Sequence, residues 1–420
     1  MKTQRLLRRS GGSALLSSWL IISALSSTAL AGGSSYSRFG LGDLLHYGGS
    51  RTDAMGGAGI ALLGDGFINR LNPAGLARIS NTRISGGFQY VNFSSEDVVG
   101  SGSFARGEFK GLAFGFPIDK EKGIALSLES TPFSSVHYAI ENAATQLHQS
   151  FYGTGGLSLL GLGGSYGPAK DLLLGLKFNY LYGRIRQVGK FDFVDASFTD
   201  SDIHRSDFYS GFNFTIGAIY EGVSTLLDAP SMKPLTVGFI ISTPAQFSVD
   251  RESVLTTGDN ATSDTTFTSS GKVDLPLALG AGFSYQFSNR FNLIGDVYHQ
   301  FWKEASLFGS KSADLRNSTR ISLGFEALPE RDIDTYWKRV AYRAGFYYHS
   351  AYYNINQTPI NELFVTAGLG LPIGPDARLN VGLHAGIRGE TSNNLQRDTI
   401  FRFTVSLSAS EAWFLRFEEE

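Results

Sequence analysis

Leu172-Leu173-Leu174-Gly175-Leu176-Lys177-Phe178-Asn179-Tyr180-Leu181-Tyr182 decides how this 420-residue chain folds. Its even positions, Leu172, Leu174, Leu176, Phe178, Tyr180 and Tyr182, are all large and apolar. The odd ones include Gly175, Lys177, Asn179 and, just beyond, Gly183. A period of two places the first set on one face of a β-strand and the second on the other. The same alternation returns near the end, where Leu379, Val381, Leu383, Ala385 and Ile387 oppose Asn380, His384 and Arg388. Phe401, Phe403, Val405 and Leu407 likewise alternate with Arg402, Thr404, Ser406 and Ser408, and Val340–Tyr348 follows suit with Arg343 on its minority face.

Alternation alone also describes a soluble sandwich. Here the large apolar face recurs on nearly every segment, while the other mixes Gly, Ser, Asn and charge. Lipid outside and a small-residue, polar interior account for that better than two sheets sharing a core. Aromatics at segment ends, Tyr180 and Tyr182, Phe346 to Tyr348, Tyr352 and Tyr353, are expected to form interfacial girdles. Fourteen such segments are counted between Thr82 and Ser408, the even number of a bacterial single-chain barrel. Short connections such as Gly167–Lys170, Ser288-Asn289 and Gly374–Asp376 interleave with long polar ones at Ser94–Arg106, Gln187–Arg205 and Asp250–Lys272. Short turns belong to the periplasmic side and long loops outside, with Asp250–Lys272 expected to be the most mobile. The expected fold is all-β, a transmembrane antiparallel barrel of 14 strands.

Composition agrees. The chain has 50 Gly and no Cys, which excludes thiolate metal sites, a Cys nucleophile and a disulfide scaffold. Its 36 Lys+Arg balance 38 Asp+Glu without a basic block, against nucleic acid as a partner. Residues 1–31 read as a secretory signal peptide: Lys2, Arg5, Arg8 and Arg9, an apolar stretch Leu15–Leu30, and Ala29-Leu30-Ala31 as cleavage site. An N-terminal membrane anchor is the alternative. After Ala31 no run reaches the ~18 apolar residues of a spanning helix.

Residues 32–80 do not alternate. They contain Ala54-Met55-Gly56-Gly57-Ala58-Gly59 and Asn69-Arg70-Leu71-Asn72-Pro73-Ala74. The glycines lack G-x-G-x-x-G spacing and no strand precedes them, so they are no nucleotide loop. Small residues that let backbone approach closely, ended by a Pro-directed turn, suit a plug folded inside the barrel of residues 81–420. A disordered periplasmic tail is the bland alternative, opposed by Ile60, Leu62, Leu63 and Leu76.

Ser37–Gly42, Ala54–Ala61 and Asn72-Pro73-Ala74, in that order before a first strand, resemble the outer-membrane long-chain fatty-acid transporter (FadL-like) family. Glu411-Ala412-Trp413-Phe414 at the carboxy end resembles shorter relatives in that superfamily. The resemblance implies a fourteen-stranded barrel closed by a hatch, with Gly56, Gly57, Gly59, Asn72, Pro73 and Ala74 in the hatch. It also implies a kink in the third strand that releases cargo sideways into lipid, where Pro132 and Phe133 fall. Pro132 alone says only that a ladder hydrogen bond is missing, and it could equally end the strand at its loop. Pro244 interrupts the seventh segment in the same way.

Inward charges Glu129, Asp296, Glu326, Arg343, Arg388 and Arg402 are expected to pair with one another, since charge in a narrow lumen needs partners. A site for a ligand carboxylate at Arg343, Arg388 and Arg402 is the alternative. Seven His are present, with His137 and His148 flanking the second outer loop, but no G-x-S-x-G or H-E-x-x-H accompanies them. No enzyme and no cofactor is expected.

The function so indicated is passive uptake of hydrophobic small molecules, such as long-chain fatty acids, across a bacterial outer membrane. Its partners are that ligand, outer-membrane lipid and lipopolysaccharide, and the barrel-assembly machinery during biogenesis. The alternatives are an interaction barrel, as in the type IX secretion subunits of the superfamily, and an open general porin.

Overall fold

The computed structural model describes residues 33–411, apart from 196, 259–262, 331–334 and 375. The signal-peptide reading and Ala412-Trp413-Phe414 lie outside the described residues. Every long element is a strand, and no described helix is long and apolar enough to cross a membrane.

The strands are β1 Thr82–Glu96, β2 Ser101–Asp119, β3 Ile124–Pro132 resumed as Ser134–Ala143, and β4 Leu147–Ala169. There follow β5 Leu172–Phe193, β6 Ser201–Tyr220, β7 Leu235–Ser242 resumed as Ala245–Thr257, and β8 Ser263–Leu275 resumed as Ala278–Tyr285. The circuit continues with β9 Phe291–Gln300, β10 Ser318–Ala327, β11 Ala341–Ile355, β12 Thr358–Pro372, β13 Ala377–Gly389 and β14 Arg397–Glu411. Each pairs antiparallel with its sequence neighbour, and β1 pairs with β14 from Thr82↔Glu411 to Glu96↔Arg397. The sheet therefore closes on itself and leaves fourteen strands around one bore.

The alternating segments divide as a membrane barrel requires. On β5, Leu174, Leu176, Phe178, Tyr180 and Tyr182 face outward and are exposed, while Lys177 and Asn179 are buried in the bore. On β13 and β14, Leu383, Ile387, Phe401, Phe403 and Leu407 are outside, and Asn380, His384, Arg388, Thr404 and Ser406 inside. Each outward methylene moved from water to lipid contributes about 0.8 kcal/mol. On this outward face Tyr180 stacks on Tyr182, and Phe88 packs against Phe109 in a tilted pair.

Two expectations need correction. Tyr352 and Tyr353 are buried (2% and 4% exposed) and belong to no girdle, and Tyr347 too is interior, whereas Phe346 and Tyr348 are outside. A register shift between Ser350 and Asn354 on β11 breaks the alternation and keeps consecutive side chains inside. Asp250–Lys272 is mostly strand, a hairpin paired from Ala245↔Leu275 to Thr257↔Ser263. Above the membrane the strand faces no longer divide between lipid and lumen, so period two weakens although the ladder continues. Gln187–Arg205 is extended for the same reason, with β5 reaching Phe193 and β6 starting at Ser201.

Candidate functional site

The segment before β1 lies inside the bore from the outer rim to the periplasmic end. Its first turn, Ser35–Arg38, is capped by the Ser34 hydroxyl, which accepts from the Tyr36 N–H. Ser34 also bonds the Asp398 carboxylate of β14. Tyr352 pins the next turn, its hydroxyl accepting from Leu41 N–H and donating to the Gly42 carbonyl, both at 2.9 Å. Around these contacts Tyr36, Leu41, Leu157, Phe247, Trp302 and Tyr352 pack as one core, so apolar side chains close the outer mouth.

Deeper in the bore the hatch backbone turns tightly, and inward barrel side chains take up its polar groups. Gly56 and Gly57 hold φ of +67° and +80°, which side chains with a Cβ rarely adopt. Gly56 N–H donates to Thr366 Oγ1 at 2.9 Å, and the Arg320 guanidinium donates to the Gly56 carbonyl at 3.0 Å. Asp296 accepts from the N–H groups of Gly59 (2.5 Å) and Ile60 (2.9 Å). Asn72 opens the last turn, Pro73–Arg78, by accepting from Ala74 N–H at 3.0 Å, and donates to the Ile60 carbonyl at 2.8 Å. Buried backbone without water must find such partners, which explains why the bore is polar.

Sequence reasoning missed what makes room for the hatch. A Cβ at Gly175 would stand 2.2 Å from Ala74 N, and one at Gly217 would stand 2.0 Å from Asn72 Oδ1. A Cβ at Gly324 or Gly345 would meet Met55, and one at Gly368 would meet Ala54. These inward glycines of β5, β6, β10, β11 and β12 form the seat of the plug. The 50 glycines were visible, but the pairing of each with a hatch residue was not.

The inward charges form separate clusters. Near the periplasmic end Glu326 is held by Arg343 at 2.8 Å and by Arg51 of the hatch. Glu129 pairs with Lys177 at 2.7 Å, and the Lys177 ammonium also donates to the Arg70 carbonyl. At the outer end Arg388 bridges Asp43 of the hatch (2.9 Å), Asp398 (3.0 Å) and Glu362 (3.4 Å). Arg402 donates to the Tyr347 hydroxyl at 2.8 Å. Arg343 therefore stands apart from Arg388 and Arg402, so the three do not converge on one ligand site. Among the described residues no group of three or more acidic or His side chains is set to hold a metal.

The barrel wall is interrupted beside the hatch. The β2–β3 ladder stops at Leu112↔Ser130. Strand β3 then breaks at Phe133, and its upper half pairs on one side with β4 and on the other with the hatch, Asp43↔Ser135 and Leu44↔Ser134. Leu45 N–H donates to the Phe133 carbonyl at 2.9 Å, and Phe133 N–H donates to the Leu157 carbonyl at 2.8 Å. Higher up, Ser37 Oγ donates to the His137 carbonyl and accepts from its N–H. Ser101–Gly111 of β2 has no ladder partner on this side among the described residues, and Ser135 Oγ donates across the gap to Glu108 Oε1 at 3.5 Å. Pro132 and Phe133 thus lie where the β2–β3 ladder ends, with the hatch paired against the upper half of β3 from within.

Small cavities remain within the bore, and a wider one lies at its periplasmic end. Two cavities of about 130 Å³ each share Leu45, His46, Phe133 and Tyr298. One is rimmed by Arg106, Lys110, Arg320, Glu362, His384 and Arg402, and neither ring nitrogen of His384 has a hydrogen-bond partner among the described residues. A wider vestibule of about 880 Å³ opens on the periplasmic side beside Arg51, Arg290, Glu326 and Arg343.

The family model of BamG matches residues 13–418. The chain belongs to the BamG family. No curated protein matches it in sequence. Among solved structures, the Ralstonia pickettii toluene transporter TbuX aligns with a TM-score of 0.62 at 14% identity, over 87% of this chain and 99% of that one. The CymD monoaromatic hydrocarbon channel gives 0.59 at 14%, over 88% and 98%. A Pseudomonas aeruginosa FadL homologue gives 0.60 at 12%, over 88% and 99%. This BamG-family chain thus has the fold of the FadL-like outer-membrane channels, and the outer membrane is its location.

Proposed function

We propose that this barrel is a passive outer-membrane conduit for hydrophobic small molecules, held here in its closed state. The observation that carries the reading is the seat of Asp43-Leu44 on the edge that β3 turns away from β2. A hatch that completes the wall from inside opens it when it withdraws. An apolar solute entering lipid sideways gains about 0.8 kcal/mol per buried methylene, so no energy source is required. Monoaromatic hydrocarbons, named for two of the similar structures, and long-chain fatty acids both fit this chemistry. Cavities of about 130 Å³ hold neither a long chain nor its path, so passage requires the hatch to shift. Within this reading an acid headgroup meets Arg320 and Arg402 beside His384.

The test is uptake of radiolabelled toluene and laurate by cells or proteoliposomes, comparing the wild type with the double variant Pro132→Ala, Phe133→Ala. Lower uptake with normal insertion supports the side door, and unchanged uptake removes it.

A second reading is an interaction barrel. The apolar seal over the outer mouth and the ion pairs locking the hatch favour it, and the family name points toward barrel assembly. Stable co-purification with outer-membrane assembly or secretion components, without apolar ligand in native mass spectrometry, supports it over transport. A general porin is the weakest reading, since the hatch occupies the bore.

A further inference from the structure

Strands β7 and β8 break at the same height. Ser242 and Ala278 are paired below the break, Ala245 and Leu275 above it, and each break contains a proline, Pro244 or Pro276. Neither proline has an N–H for the ladder. Above this height β8 also loses its other neighbour. The β8–β9 ladder ends at Ala278↔Gln300, and Ser263–Leu275 pairs only with β7 among the described residues.

The β9–β10 connection covers the edge with a few bonds. Phe301 N–H donates to the Leu277 carbonyl at 3.1 Å, Ser306 N–H to the Asp274 carboxylate at 3.1 Å, and Gly309 N–H to the Lys272 carbonyl at 3.0 Å. Between the first and second of these lies a cavity of about 500 Å³, floored by Pro244, Leu275, Leu277, Phe301 and Ala305. It faces outward. Gln246 and Glu304 on its rim are exposed, and Leu279 and Val297 on the strands just below lie on the lipid-facing surface. Leu275 and Pro276 also line one of the lumen cavities, so the partition between lumen and notch is one residue thick.

We infer that this notch is a binding site for a small uncharged apolar molecule, an aromatic ring or a short aliphatic chain. Its volume lies in the range of about 300–1,000 Å³ typical of small-molecule pockets. A floor without polar groups does not hold ordered water. The rim selects against lipid headgroups. Asp274 is fixed by Ser306 and Gln246 and its carboxylate repels the phosphate of a phospholipid or lipopolysaccharide, whereas Glu304 on the same rim is paired with Lys311 at 3.2 Å. A solute without a charged head escapes that repulsion.

The test is photolabelling of the full-length mature barrel in lipid nanodiscs with 3-trifluoromethyl-3-phenyldiazirine, with and without p-xylene, and mapping of adducts by mass spectrometry. Adducts at Leu277 and Phe301 are expected to fall about tenfold at a competitor concentration roughly ten times its Kd. Adducts at Leu279 and Val297, in bulk lipid, are expected to be indifferent to competitor. Leu277→Trp fills the notch from one side and Ala305→Trp from the other, and either is expected to remove the competable labelling. Heat-modifiable gel migration reports which variants are folded. Labelling that p-xylene does not compete at any of the four positions means annular lipid only and overturns the site, as does competable labelling that survives both tryptophans. The readout involves no transport, so a barrel that binds here but takes nothing up overturns the proposed conduit and leaves the notch standing.

Discussion

Leu44 of the hatch lies in register with Ser134 of β3, one residue past the break that parts β3 from β2. The hatch therefore also serves as wall, supplying the strand neighbour that β2 no longer provides. Unpaired strand edges cost several kcal/mol per buried group in an apolar setting, which is why the seat is occupied at rest.

The pairing permits a lock. Facing Cα atoms in an antiparallel ladder are about 4.5–5.5 Å apart, within the ~4.4–6.8 Å range of disulfides. The chain has no Cys, so Leu44→Cys with Ser134→Cys introduces the only pair. Oxidation is expected to reduce uptake of labelled toluene to the barrel-free background, and reductant to restore it. Equal rates in both states would show that this seat does not gate passage.

A larger side chain under the plug should expel it. At Gly175 the clashing atoms, Ala74 N and the Pro73 carbonyl carbon at 2.2 and 2.3 Å from an added Cβ, are backbone and have little freedom to yield. Gly175→Val is expected to destabilise hatch seating by about 1–3 kcal/mol or more. Planar-bilayer conductance should rise while the barrel remains folded. Gly107, whose added Cβ meets nothing within 4 Å, is the control, with Gly107→Ala within about 0.5 kcal/mol of wild type.

Arg388 is in ion-pair contact with three carboxylates at once, Asp43, Asp398 and Glu362. Arg388→Leu leaves them buried and mutually repelling, at an expected cost of about 3–5 kcal/mol. The loss is read as a lower urea midpoint and earlier proteolysis of the amino-terminal segment. A midpoint unchanged within error would mean that water reaches these groups.

The hatch should loosen in acid. Burial, reinforced by the Arg320 charge, holds the His46 imidazole neutral well below its ordinary value of 6.5. A group depressed in the seated state stabilises that state above the free pKa and loses this stabilisation as pH falls. The slope is up to about 1.4 kcal/mol per pH unit below roughly pH 6.5. Protease access to residues 33–45 is expected to increase between pH 7 and 5, and His46→Gln to flatten that dependence. The same acid response in the variant would transfer the effect to other groups.

Residues 172–182 were legible because lipid and lumen impose opposite chemistry on alternate side chains. The resemblance carried by Asn72-Pro73-Ala74 pointed to a hatch, and Pro132 to a break in β3. Tyr352 and Tyr353 were misread because a register shift abolishes the period on which a girdle position depends. Asp250–Lys272 was misread because strand faces above the membrane meet no lipid. Arg343 and Arg388 stand on the same kind of face in sequence, yet one serves Glu326 near the periplasm and the other Asp43 near the rim.

Alternation along single strands dictated the barrel and its greasy exterior, because that pattern is local and the bilayer rewards it strand by strand. Which glycine receives which hatch atom, that Asp43 of the hatch reaches Arg388, and that Leu44 completes the wall beside Ser134 arise only when segments about 90 to 350 residues apart are brought together. Those contacts depend on the closed circumference of the bore, a property of fourteen strands jointly, and no single segment encodes it.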